Sequence, residues 1–157
     1  MPACTSSGPK PARVSAADAY VAAIRWFVKT VPVPEPVDPT DTVPTGPRIV
    51  YVAPADGSPI DASSQAAVVS GLADMNDEIE VLFADRPDDA LDLDLEGEPV
   101  RQGGALLLVG KVPDTRPPVE VSIEVYFNAT SRDTYEMRIT RIGSDDYNVT
   151  AVTQLGQ

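Results

Sequence analysis

Histidine is absent from this chain, and cysteine occurs once. Without histidine there is no imidazole general base, no usual zinc ligand and no Ser–His or Cys–His nucleophile pair. A single thiol excludes an internal disulfide and a thiolate metal cluster. Positive charge is scarce: 12 Lys and Arg stand against 24 Asp and Glu, a formal net charge of -12. That balance argues against nucleic-acid binding through phosphate neutralisation and against docking on an anionic membrane surface. No apolar run approaches the roughly 20 residues of a membrane-spanning helix. A lipid anchor is then the one route to a membrane. What is present is an apolar fraction of 43% in 157 residues, enough for one core at the usual size of one domain.

The pattern begins after a polar, proline-containing segment. Residues 1–13, MPACTSSGPKPAR, carry no hydrophobic period and read as a flexible tail ahead of a domain over 14–157. Ser15 and Asp18 form an S-x-x-D capping pair, with Val14 just ahead of it. Ala16, Tyr20, Ile24 and Phe27 then recur at helical spacing, and Pro32 predicts a stop by Thr30. Six prolines between Val31 and Arg48 leave an extended connector rather than a regular element. Ile49 to Ala53 predicts a short strand. A second helix is expected from an Asp61 cap to about Ala73, with Val68, Val69 and Leu72 facing inward. Ile79, Val81 and Phe83 alternate as a half-exposed strand, and Ala105 to Val112 suits a strand covered on both faces.

The last third alternates most clearly. Val119, Val121, Ile123, Val125 and Phe127 predict a two-faced strand, followed by Tyr135, Met137, Ile139 and Arg141, then Tyr147, Val149, Ala151 and Thr153. Short turns between them predict a three-strand antiparallel meander. The register that gathers apolar residues sets Phe127 opposite Tyr135, Val125 opposite Met137 and Ile123 opposite Ile139, with 129–133 as the turn and Glu124 across from Arg138. The next pair sets Ile139 opposite Val149 and Arg141 opposite Tyr147, with Gly143 to Asp145 as the turn. Tyr20, Ile24 and Phe27 are expected to cover the Val121, Ile123, Val125 and Ile139 face. Any ligand pocket is expected between that helix and the sheet.

Chemistry-bearing signals are few. The run from Asp74 to Glu98 holds 11 acidic residues against Arg86 alone, a net -10. Asp92-Leu93-Asp94-Leu95-Glu96-Gly97 has the form of half a calcium loop, but position twelve is Gly103 instead of a bidentate Glu. Leu91, Leu93 and Leu95 alternating with acids equally suit a short strand with one wet face. The stronger reading is a solvated acidic face, with Asp85, Asp88, Asp89, Asp92, Asp94 and Glu96 as a partner-facing patch. No two carboxylates are marked out for paired acid–base work. The sequence therefore predicts no catalytic, cofactor-binding or metal residues and no cofactor.

Met1-Pro2-Ala3-Cys4, followed by Thr5-Ser6-Ser7, resembles the cleavage box of a bacterial lipoprotein, which implies lipidation at Cys4 and a tether over the residues that follow. The competing reading is a free thiol at a frayed terminus in a reducing cytosol. The long amphipathic helix, the short second helix and the strands ending in TYEMRITRIGSDDYNVTAV resemble the nuclear-transport-factor-two-like and cystatin-like group, in particular its small secreted or lipid-anchored bacterial members. That resemblance implies an α+β fold with helices across a curved antiparallel sheet and a binding or interaction module. Enzymes of the group usually place a His and an Asp in the cone between helix and sheet, and this chain has no His. The leading expectation is a non-catalytic, envelope-associated binding module for a protein with a basic surface or a small ligand. A hydrolase or isomerase using carboxylates and tyrosines in the helix–sheet cone is the alternative. A cytoplasmic subunit that dimerises through the open sheet face is a third reading.

Overall fold

The computed structural model describes residues 13–34, 45–143 and 146–156. Cys4, the tail before Arg13, most of the proline-rich connector and part of the last turn lie outside the described residues. The elements run α1 (Ala16–Thr30), β1 (Arg48–Pro54), α2 (Ala62–Gly71), β2 (Ile79–Phe83), β3 (Ala105–Val109), β4 (Val119–Asn128), β5 (Ser131–Arg141) and β6 (Tyr147–Leu155). The fold is α+β, with two helices on one six-stranded sheet of order β2-β1-β3-β4-β5-β6. No described helix is long and apolar enough to cross a membrane.

Local chemistry sets the helices. Ser15 caps α1, its Oγ accepting from the Asp18 N–H at 3.1 Å, and Val31 leaves the helix in an extended conformation before Pro32. Asp61 caps α2 by accepting from the Ser64 N–H at 2.9 Å. Arg48 closes the far end of α1: its Nη1 donates to the Val31 carbonyl at 2.8 Å, and its guanidinium stacks 4.2 Å from the Phe27 ring centroid. A cation there also suits the negative end of the helix dipole.

The sheet is mixed, which corrects the expected all-antiparallel arrangement. β1 pairs in parallel with both β2 and β3, while β3-β4, β4-β5 and β5-β6 are antiparallel. Strands joined by a helix-length crossover have room to run the same way. β1 reaches β2 through α2, and β2 returns past β1 to β3 through residues 84–104. Parallel crossovers share one hand, so two that travel in opposite directions belong on opposite faces. The packing follows this. Val68 of α2 and Leu72, which caps its end, join Val50, Val52, Ala105 and Leu107 in the main core with α1. Ala90, Leu91 and Val100 of the second crossover join Ala53 and Leu106 on the other face. β3 is thereby covered on both faces, as its apolar run requires. It ends at Val109, short of the expected Val112. Gly104 admits it beside β1, because a Cβ there would stand 2.8 Å from the Ile49 carbonyl oxygen.

In the antiparallel half, α1 covers the predicted face: Tyr20, Ile24 and Phe27 share the core with Val121, Ile123, Val125 and Ile139. The β5–β6 register sets Ile139 opposite Val149 and Arg141 opposite Tyr147, as expected. The β4–β5 register differs from the expected one. Ile123 lies opposite Tyr135, Val121 opposite Met137 and Val119 opposite Ile139, and Glu120, not Glu124, faces Arg138. The turn is Ala129-Thr130 alone, since Asn128 Oδ1 accepts from the Thr130 N–H at 3.0 Å and closes it tightly. Ser131, Arg132 and Asp133 are drawn into β5 in consequence. Val69 is 49% exposed instead of facing inward.

Candidate functional site

The space between α1 and the sheet, where a pocket was expected, is filled. Ile24, Phe27, Ile123, Met137 and Ile139 are fully buried there, and no polar or charged residue is buried among the described residues. The open space near α1 lies instead beyond the carboxyl ends of β1 and β3. A cleft of about 310 Å³ opens there, lined by Ala16 and Tyr20 of α1, Pro54, Val109, Asp56, Lys111 and the Ile60–Ser64 region at the start of α2. Such a crevice is where open sheets with parallel strands hold ligands. Most of its polar groups are already engaged; the Lys111 side chain makes no hydrogen bond or ion pair among the described residues. Asp61 Oδ2 accepts from Ser64 Oγ at 2.7 Å, Asp56 Oδ1 accepts from the Ser58 N–H at 2.9 Å, and the Tyr20 hydroxyl donates to the Gly110 carbonyl at 3.4 Å. Burial, aided by the Asp56 charge, pushes the Tyr20 phenol above its ordinary value, so it stays a hydrogen-bond donor and a poor base. The Asp61 carboxyl is held below its ordinary range by its bonds to Ser64. The cleft thus joins a protonated phenol to an ionised carboxylate already spent on capping, which is not a general acid–base pair.

The six acids singled out from the sequence all fall in the 84–104 crossover. Asp85, Asp88, Asp89, Asp94 and Glu96 are exposed, and Asp92 is half-buried. Asp92 lies 3.7 Å from Arg101 Nε, and Asp89 lies 3.5 Å from Arg86 Nη2. Asp85, Asp88, Asp94 and Glu96 have no cation at salt-bridge distance among the described residues. The Leu91–Leu95 alternation is not a strand. Leu91 forms a single antiparallel bridge to Val100 and is buried, whereas Leu93 and Leu95 stand in turns, 52% and 56% exposed.

This loop is held in one shape. Asp92 N–H donates to the Pro99 carbonyl at 2.9 Å, Glu98 N–H to Leu95 at 3.0 Å, and Ala129 N–H to Gly97 at 2.8 Å. The Tyr126 hydroxyl reaches the Glu98 carbonyl at 3.1 Å, and Arg101 Nε reaches the Leu91 carbonyl at 3.1 Å. Gly97 and Glu98 both adopt positive φ to make the bend. The outcome is a pinned tip that holds two leucines in water among carboxylates. No group of three His, Cys, Asp or Glu among the described residues is disposed to hold a metal ion. In the sequence these leucines read as a short strand with one wet face and no binding role, although their alternation with acids is the signal.

Comparison with known proteins gives no matching family model, and no curated protein or solved structure similar to the chain.

Proposed function

We propose that this chain is a non-catalytic binding module whose acidic crossover docks a protein partner with a basic rim and an apolar pocket. One observation carries the reading: a loop pinned by hydrogen bonds keeps Leu93 and Leu95 exposed beside Asp94 and Glu96, which have no cation at salt-bridge distance among the described residues. Exposed leucines cost solvation in the free protein, and apolar anchors inside a charged rim are how protein interfaces divide affinity from steering. The test compares capture from an envelope extract by the wild type, by Leu93→Ala/Leu95→Ala and by Asp88→Asn/Asp94→Asn/Glu96→Gln. The same captured protein is expected to be lost with the leucine pair and weakened by the neutralised set. It is also expected to weaken as salt shortens the screening length to about 8 Å and below. Capture indifferent to both variants and to salt would dismiss the reading.

The envelope address is part of the proposal and rests on Cys4 with the small, polar tether behind it. Mass spectrometry of the protein from its native membranes is expected to find a diacylglyceryl thioether on Cys4; a free thiol there would remove the anchor. Kinship with the nuclear-transport-factor-two-like and cystatin-like group belongs here too. It is supported by a helix lying across antiparallel strands, and the parallel pairing around β1 is where the chain departs from that pattern.

A further inference from the structure

A different feature sits at the edge of the sheet. β2 is the outermost strand and is bonded only to β1. The Arg48 N–H donates to the Glu78 carbonyl at 2.8 Å, and the Ala84 N–H donates to the Val52 carbonyl at 2.9 Å. In a parallel ladder alternate residues turn both peptide groups to the same side. Glu78, Glu80 and Leu82 therefore face β1, and the N–H and C=O groups of Ile79, Val81 and Phe83 lie along the open edge. Beside that edge, between β2 and α2, runs a groove of about 310 Å³ walled by Val69, Leu72, Ile79 and Val81, with Glu80 also lining it. The exposure of Val69 has its setting here: the side chain stands in the groove wall and not in the core.

We propose that this groove binds an extended polypeptide segment of alternating apolar and basic residues, added to β2 as a further strand. Strand addition draws affinity from the free peptide groups and specificity from what alternate side chains meet. An added strand would set one row of side chains on the α2 side, against Val69 and Leu72. The other row would fall on the Glu80 side. Charge chooses the occupant. Asp77, Glu78 and Glu80 are exposed and have no cation at salt-bridge distance among the described residues. Pairing β2 with the β2 of a second copy would bring these carboxylates together, and like charges across a strand pair are unfavourable. A strand carrying Lys or Arg in the matching row meets them instead. The groove is independent of the acidic crossover, and the two readings can fail separately.

The probe is a fluorescein-labelled octapeptide of alternating valine and lysine, read by anisotropy on the full chain. Controls are the same residues as a valine block followed by a lysine block, and an alternating valine–glutamate peptide. The alternating basic peptide is expected to bind, with both controls weaker by roughly tenfold or more. Val69→Lys puts a cation in the groove wall at an exposed helical position. It is expected to weaken binding by a similar factor with an unchanged circular dichroism spectrum. Leu93→Ala/Leu95→Ala is expected to leave peptide binding unchanged. Amide exchange is expected to slow at Ile79, Val81 and Phe83 on binding. No binding, equal binding of the block peptide, insensitivity to Val69→Lys, or protection confined to other strands would each overturn the proposal. Loss of binding in the leucine pair alone would overturn the groove while leaving the crossover reading in place.

Discussion

Arg25 ties the two helices together with one side chain. Its guanidinium grips the Asp74 carboxylate with both nitrogens, Nη1 at 2.9 Å from Oδ2, and Nη2 also donates to the Gly71 carbonyl at 2.8 Å. A two-pronged clamp fixes geometry as well as charge. The hydrogen bond from Arg25 is the largest cause holding the Asp74 carboxyl below its ordinary range, and the same bond raises the Arg25 value. A carboxylate depressed in the folded state contributes stability above its unfolded pKa of about 3.9. That contribution is lost as pH falls through the lower folded value. Asp74→Asn is therefore expected to be less stable than the wild type at neutral pH. The deficit should begin to shrink below about pH 4 and close as pH falls through the lower folded value, where the Asp74 carboxyl is as neutral as the amide that replaces it. Urea melts at a series of pH values measure this, and parallel stability curves would show that Asp74 does not act through its charge.

At the scale of elements, the parts of the fold legible in the sequence were those set by neighbours along the chain. Ser15, Asp61 and Pro32 mark helix ends because a cap or a missing N–H acts within one turn. The alternation in Val119–Phe127 fixed which face α1 covers, since a period of two decides sides. It could not fix the β4–β5 register: sliding a strand by an even number of residues keeps the same side chains inside. The Asn128–Thr130 bond made that choice, and turn-prone Ser131 and Asp133 pointed the other way. Strand direction was equally hidden. Nothing within Ile79–Phe83 says whether it runs with or against β1; the α2 crossover decides that. The candidate sites divide along the same line. The acids of the crossover were readable as a charged run, whereas the exposure of Leu93 and Leu95 depends on bonds to Tyr126 and Ala129, far along the chain. The groove beside β2 depends on which strand ends the sheet, and no local pattern carries that information.

Over the whole molecule the sheet has two halves of different construction. In the antiparallel half β4, β5 and β6 follow one another through short turns, and both faces of the parallel half are covered by crossovers through residues 55–78 and 84–104. The difference has a temporal consequence. Closing a long loop costs chain entropy before any contact repays it, whereas a hairpin closes at once. The β4–β5 hairpin can thus assemble on its own, and β2 must wait for β1 and α2. A five-residue strand bonded on one side is also the first that thermal motion can release. Native-state hydrogen exchange is expected to show β2 opening locally at Glu80 and Leu82, with rates insensitive to low denaturant. The amides of Ile123 and Val125 are expected to exchange only with global unfolding. Equal protection across the two strands would mean that the sheet opens as one unit. The order of birth and the order of release would then mirror each other. The last strand to join the sheet is the first to leave it, and each departure takes away the edge that an added strand would need.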